Sequence, residues 1–149
     1  VQEGNREAVV AFKNMYEAAK KEGLGLVINS SYRSYQDQEN ICNTFKDLYG
    51  EGYVTKYVAL PGFSEHQTGL AFDIGSTTSK VFVESKEYEW MKENAYKYGF
   101  ILRFTKANAY ITGFRSEPWH YRYVGKKIAK YIYENDISFE EYYAEFLDN

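Results

Sequence analysis

The chain has two histidines, and each lies near carboxylates at a spacing that suits a catalytic metal ion. His66 precedes Asp73 by seven residues, and His120 ends the run Glu117-Pro-Trp-His. Two imidazoles and one carboxylate leave a zinc ion one open coordination position, which is typical of hydrolytic rather than structural zinc sites. We therefore predict that His66, Asp73 and His120 bind Zn²⁺.

Glu117 lies three residues before His120 and is not needed to complete the three-ligand set. Zinc polarises a carbonyl group and lowers the pKa of its bound water toward about 7. A nearby carboxylate can take the proton and later give it to a leaving amine. Glu117 is therefore the predicted general base of a hydrolase. Two histidines and one carboxylate also describe the iron site of non-haem oxygenases, but Glu117 would have no evident task there.

A strand with unequal faces is predicted to present the carboxylate ligand. In residues 69–74, small residues alternate with bulky ones, and Asp73 shares its face with Gly69 and Ala71. Because successive side chains of a strand point to opposite faces, the bulky residues should enter the core. The face that carries Asp73 then keeps space for a metal ion and a substrate.

The other elements follow from apolar spacing and capping residues. Helices are predicted over residues 5–22, 85–99 and 126–135, with a further helix that begins after Ser34 and a last one that begins with a Ser138/Glu141 capping box. Strands are predicted over residues 24–29, 100–104, 111–115 and 119–124, in addition to the strand 69–74. Residues 49–57 are predicted to be irregular, and Pro61-Gly62 is predicted to form a turn. Helices and strands mix without a βαβ rhythm, so we expect one α+β domain over residues 1–149.

Composition excludes several classes of function. A net charge of −3 gives a nucleic-acid partner no electrostatic support. The single cysteine, Cys42, cannot form an internal disulfide, and a buried unreactive thiol is expected. No run is long and apolar enough to cross a membrane, so attachment is expected only through an anchor that precedes Val1. A monomer is expected.

Three segments resemble the VanY-type D-alanyl-D-alanine carboxypeptidases, zinc peptidases of the lysostaphin and D-Ala-D-Ala metallopeptidase group. The matching motifs are Ser64-x-His66-x-x-Gly69-x-Ala71-x-Asp73, Glu117-x-Trp119-His120 and Ser31-Tyr32-Arg33-Ser34-Tyr35-x-x-Gln38. Their order and spacing make the resemblance specific, and it extends from about Leu24 to Gly125. It implies a small antiparallel sheet flanked by helices, as in hedgehog-type and D,D-peptidase domains.

The resemblance also implies roles for residues outside the zinc set. Arg33 would bind the free C-terminal carboxylate of a peptide, because a guanidinium can hold a carboxylate through two parallel hydrogen bonds. Gln38 and Ser64 would hydrogen-bond the peptide or its carboxylate, with a turn residue as the alternative for Ser64. Trp119 is expected to pack beneath the site. Arg122, like Arg115, is a candidate either for orienting a ligand or for a structural ion pair.

The activity implied is removal of the C-terminal D-alanine from peptidoglycan stem peptides, outside the cytoplasm at a bacterial cell envelope, in wall maturation or glycopeptide resistance. The motifs leave open whether the residue before the scissile bond is a D- or an L-centre, and D,D-carboxypeptidase is preferred to L,D-carboxypeptidase. A catalytically silent zinc-binding module, as hedgehog-type domains would suggest, is the alternative from another class. The intact Glu117 argues against it.

Overall fold

Four antiparallel strands in the order β1-β2-β4-β3 form the sheet around which the chain folds. The computed structural model describes residues 2–147. The strands are β1 (Leu26–Ser30), β2 (Ala71–Ser76), β3 (Phe100–Phe104) and β4 (Glu117–Tyr123). The α-helices in the described range are α1 (Arg6–Lys21), α2 (Tyr35–Tyr49), α3 (Glu51–Tyr57), α4 (Lys86–Asn94), α5 (Ala109–Thr112), α6 (Lys126–Asn135) and α7 (Phe139–Phe146). The expected α+β class with an antiparallel sheet is confirmed.

One face of the sheet is covered by the main hydrophobic core. Phe72 and Tyr121 are paired across β2 and β4, and both are almost completely buried. Met15 of α1 and Met91 of α4 pack in the same cluster. Because side chains alternate along a strand, Asp73 must point to the opposite face. The predicted split of this strand into a core face and an open face is therefore found.

Local signals place most helix starts where the sequence predicts them. Asn5 caps α1 by accepting hydrogen bonds from the backbone of its first turn. Ser34 forms a capping box with Asp37 at the start of α2, and Ser138 forms one with Glu141 at the start of α7. Each box satisfies two backbone N–H groups that the helix itself leaves without partners.

Three predicted segments differ from the structure. Residues 49–57, predicted irregular, contain α3, because Gly50 at φ 90° interrupts the chain only briefly before helix resumes. The predicted strand 111–115 is replaced by the short helix α5, which ends at Gly113 with φ 77°. The strand predicted from residue 69 begins at Ala71, because Gly69 ends a 3₁₀ turn in the left-handed conformation. No helix within residues 2–147 has the length and apolar character needed to span a membrane.

Candidate metal centre

Three potential ligand atoms converge on the open face of the sheet. Asp73 of β2 lies directly opposite His120 of β4, and its Oδ1 is 3.2 Å from His120 Nδ1. The same oxygen is 3.1 Å from Nε2 of His66. Ligand atoms of all three residues lie within 4.8 Å of one another. The structure therefore brings together the three residues that the sequence predicts as ligands.

This donor set fits zinc. His66 Nδ1 lies 2.7 Å from the carbonyl oxygen of Ser31, and a carbonyl only accepts hydrogen bonds. The proton of a neutral His66 therefore sits on Nδ1, and Nε2 offers its lone pair toward Asp73. Zinc bonds of about 2.0–2.1 Å in tetrahedral geometry separate neighbouring ligands by roughly 3.3 Å. The separations of 3.1 and 3.2 Å are close to that value.

A short 3₁₀ turn, Glu65–Thr68, holds His66 in place. Ser64 caps the turn, and its hydroxyl accepts a hydrogen bond from the His66 backbone N–H. Gly69 ends the turn at φ 75°, where a Cβ would lie 2.8 Å from the backbone nitrogen of Asn5. Only glycine suits this position, because it tolerates both the left-handed backbone and the close approach. Ser64, predicted to bind peptide, has this capping role in the structure and also lines the cleft.

An irregularity in β4 turns Glu117 and His120 toward the same site. Leu102 of β3 pairs with Tyr121 of β4, and Phe104 of β3 pairs with Glu117 of β4. The two β3 residues are two positions apart in the chain, whereas their β4 partners are four positions apart. The two extra residues of β4 mark a bulge-like irregularity, at which a strand bends and departs from regular pairing. As a result Glu117 Oε1 lies 3.7 Å from His120 Nδ1, beside the ligand cluster. Burial raises the pKa of Glu117 above its ordinary value, which suits a general base.

Arg33 lies on the other side of Asp73 and is held by three side chains. Its Nε and Nη2 donate to Ser30 Oγ at 3.1 and 3.0 Å, and its Nη1 donates to Gln38 Oε1 at 3.0 Å. Nη2 also lies 3.5 Å from Asp73 Oδ2. Burial lowers the pKa of Arg33, and the charges of Asp73 and Glu117 oppose that shift. The guanidinium is thus fixed next to the metal cluster, where it faces the cleft.

The buried side chain of Gln38 helps to orient Arg33. It is 1% exposed, and its Nε2 donates to the carbonyl oxygen of Ala59 at 2.6 Å. Both ends of its amide are therefore used within the protein, with the oxygen facing Arg33. The structure favours a role in orienting the guanidinium over the direct peptide contact that the sequence predicts for Gln38.

A partly buried carboxylate that the sequence pattern does not indicate lies beside His120. Glu65 Oε1 is 3.7 Å from His120 Nε2, and Glu65 forms ion pairs of 2.8 Å with Arg103 and Arg122. Burial alone would raise the pKa of Glu65, but His120 and the two arginines lower it to about 2. Arg122 was predicted either to orient a ligand or to form an ion pair, and the structure shows the ion pair with Glu65. No sequence pattern indicates this role for Glu65, because its partners Arg103 and Arg122 belong to strands distant in the chain.

Burial and the two neighbouring carboxylates shift the pKa of His120 in opposite directions. Burial would lower the pKa of this imidazole, but Asp73 and Glu65 raise it to about 9 in the metal-free protein. Burial would raise the pKa of Asp73, but hydrogen bonds with His120 and His66 hold it well below its ordinary range. Zinc needs a neutral imidazole, so protonation of His120 competes with zinc binding.

The cluster lies in a cleft of about 440 Å³. One wall is formed by α2 and α3, where Phe45, Tyr53 and Tyr57 follow one another in ring contact. Arg115 lies 4.5 Å above the ring of Tyr57 and lines the same cleft, where its charge acts on Glu117. Trp119 is 38% exposed and lines the cleft, so the expectation that it packs beneath the site is wrong. The irregularity of β4 explains this, because it changes which way the residue before His120 points.

The family model described as VanY, D-alanyl-D-alanine carboxypeptidase, matches residues 2–126 of this chain. YodJ of Bacillus subtilis, which carries a provisional name as a carboxypeptidase, is 48% identical over 93% of the chain and 52% of its own length. A D-alanyl-D-alanine carboxypeptidase of Enterococcus faecalis is 38% identical over 87% of the chain and 52% of its own length. The chain thus spans about half the length of these curated relatives.

Solved structures of two specificities superpose on the fold. The LD-carboxypeptidase LdcB matches with a TM-score of 0.89 at 46% identity, covering 97% of this chain and 71% of LdcB. VanYB in complex with D-alanine-D-alanine matches with a TM-score of 0.87 at 31% identity, covering 98% and 84%. A mutant of a vancomycin-resistance D,D-pentapeptidase VanY in complex with Zn(II) matches with a TM-score of 0.85 at 33% identity, covering 95% and 84%.

Proposed function

Because this chain belongs to the VanY family of D-alanyl-D-alanine carboxypeptidases, we propose that it removes the C-terminal D-alanine from peptidoglycan stem peptides with the help of a zinc ion. One observation carries the proposal most directly. The ligand atoms of His66, Asp73 and His120 converge in a cleft beside the partly buried carboxylate of Glu117. A structure of a related VanY protein contains Zn(II), which supports the choice of metal.

His66, Asp73 and His120 would hold the zinc ion, which when bound polarises a carbonyl group and lowers the pKa of water. Glu117 takes a proton from the attacking water and passes it to the departing amine, so one carboxylate serves first as base and then as acid. Burial raises the pKa of Glu117 above its ordinary value, which brings it closer to the range that suits a group acting first as base and then as acid.

Arg33 would bind the terminal carboxylate of the substrate. Its guanidinium is already oriented by Ser30 and Gln38, so little conformational entropy is lost when a peptide binds. A fixed cation next to the metal cluster selects a chain end over an internal peptide bond. The geometry therefore favours an exopeptidase, and the complex of VanYB with D-alanine-D-alanine supports a substrate that ends in D-alanine.

An L,D-carboxypeptidase, which trims tetrapeptide stems at an L-centre, is the second candidate. The observation that favours it is the superposition on LdcB at 46% identity, higher than the 31% of VanYB. The family model and the enterococcal relatives favour the D,D activity. In either case the substrate would be met at the cell envelope, outside the cytoplasm, and the domain would act as a monomer.

The deciding experiment incubates the zinc-loaded protein with pentapeptide and tetrapeptide stems and identifies the released residue by mass. We expect one D-alanine from the pentapeptide and none from the tetrapeptide. Chelated protein and the variant Glu117→Gln serve as inactive controls. Cleavage of the tetrapeptide alone would establish the L,D activity instead, and release from neither stem would overturn the proposal.

We expect Arg33→Ala to lower kcat/KM for peptides with a free C-terminus by about 30- to 5,000-fold. This range corresponds to the 2–5 kcal/mol that losing one partner of a desolvated ion pair costs. Arg33→Lys should lose most of the same amount, because lysine keeps the charge but cannot form two parallel hydrogen bonds.

Amidation of the peptide's C-terminus provides the matched test. It should impair the wild type about as much as the substitution does, and it should impair Arg33→Ala little further. If the two changes act independently, so that their free-energy costs add, Arg33 does not bind the terminus. An endopeptidase or a different carboxylate anchor would then explain the site better.

A further inference from the structure

Three buried polar atoms meet beside His120, on residues that also line the cleft. They are Glu65 Oε1, Arg103 Nε and His120 Nε2, and none has a partner with hydrogen-bond geometry among the described residues. Glu65 Oε1 nevertheless lies 2.8 Å from Arg103 Nε and 3.7 Å from His120 Nε2. Buried polar groups rarely remain without partners, so atoms grouped in this way point to a shared task.

The second ligand histidine indicates what that task is. His66 donates its Nδ1 proton to the backbone carbonyl of Ser31, which fixes its ring and directs Nε2 to the metal position. His120 is turned the other way, with Nδ1 toward the metal position and Nε2 toward Glu65. A metal-bound histidine usually donates its other N–H to a carbonyl or a carboxylate, which sets its tautomer and orientation.

We propose that Glu65 is a positioning residue that keeps the proton of His120 on Nε2 and so presents Nδ1 to the zinc ion. This inference rests on the proposed function for its metal. A carboxylate strengthens the basicity of the imidazole more than the neutral carbonyl opposite His66 does. The two histidines would therefore be unequal ligands, with His120 the stronger electron donor.

Two arginines hold Glu65 in the orientation that this role requires. Arg122 Nη1 donates to Glu65 Oε2 at 2.8 Å, which leaves Oε1 to face Arg103 and His120. The two guanidinium groups also neutralise a carboxylate that would be costly to bury alone. Glu65 is thus fixed by charge and geometry before any metal binds.

The C-terminal helix α7 completes the arrangement. Glu140 accepts two hydrogen bonds from Arg103, at 2.7 and 2.8 Å, a bidentate geometry that fixes the plane of the guanidinium. Phe139 lies under both arginines, with its ring 5.3 Å from Arg103 and 5.5 Å from Arg122. These two residues lie outside the matched range 2–126, so part of the support for a metal ligand lies beyond the family's motifs.

The test measures zinc binding without any substrate. Purified, metal-free wild type and Glu65→Gln are titrated with zinc against a chelator of known affinity, and the melting temperature of each metal-free protein reports on folding. Glutamine preserves shape but removes the charge, so we expect zinc affinity to fall by about 10- to 100-fold. Glu51→Gln is the matched control, because it removes an exposed carboxylate that pairs with Lys46, and its zinc affinity should equal the wild type's.

A second measurement keeps the inference open to refutation even if Glu65→Gln does not fold. Long-range proton–nitrogen NMR of the zinc-loaded wild type should place the proton of His120 on Nε2 and the metal on Nδ1. The opposite tautomer would overturn the inference, as would unchanged zinc affinity in a folded Glu65→Gln. If the wild type binds no zinc, the proposed function fails as well. If it binds zinc and only the variant result is negative, the proposed function is unaffected.

Discussion

Replacing either His66 or His120 by alanine is expected to remove most of the bound zinc and to abolish peptide release. Each histidine supplies one of three ligand atoms, and the cluster offers no fourth described side chain to substitute for it. The expected loss of zinc affinity is larger than the roughly 10- to 100-fold that removal of an outer-shell partner causes. Zinc content of the purified variants and release of D-alanine are the two measurements.

The matched control for this prediction is Asn43→Ala, an alanine substitution on an exposed position of α2 far from the ligands in sequence. It should keep one equivalent of zinc and full turnover. Stoichiometric zinc in both histidine variants would show that the ion binds elsewhere. The assignment of His66 and His120 as ligands would then be abandoned.

Glu117→Gln is expected to keep zinc and the fold while kcat falls by about 10²- to 10⁴-fold, the usual contribution of a positioned general base. The carboxylate adjoins His120 without being a member of the ligand cluster, so its loss should affect the chemistry rather than the metal. Zinc content, the melting temperature and kcat separate these effects.

The pH profile of kcat/KM gives an independent check on Glu117. Activity requires the ionised carboxylate, so it should be lost as pH falls through the pKa of Glu117, which burial raises above 4.5. With zinc kept saturating across the profile, this acidic limb should be absent from the residual activity of Glu117→Gln. Near-normal turnover in that variant would place the base elsewhere in the cleft.

The parts of the fold that the sequence predicts are those governed by local chemistry. Ser34 and Ser138 indicate where their helices begin, because the partner residue of each capping box lies only three positions away. The ligands could be predicted for a related reason. Asp73 belongs to a strand in which the alternation of small and bulky residues predicts the direction of its side chain. The chain has two histidines, and each lies near carboxylates in sequence, so both could be recognised as candidate ligands.

The parts that the sequence does not predict depend on contacts between distant segments. Helix α3 forms where an irregular segment was expected, and its Tyr53 stacks on Phe45 of the preceding helix across Gly50. Glu65 shows no pattern of its own, because its partners Arg103 and Arg122 reach it from β3 and β4. Such a site becomes visible only when the strands are assembled.

In the irregular pairing of β4, the number of residues between Glu117 and His120 determines how these two side chains lie relative to each other. Pro118 and Trp119 occupy the extra length that lets the proton carrier and the metal ligand face one cavity. Deleting one of these two residues would change the number of residues between the two functional side chains, so we expect Glu117 to turn away from the cleft. The segment works as a spacer, and its length sets where the catalytic carboxylate lies relative to the metal ligand.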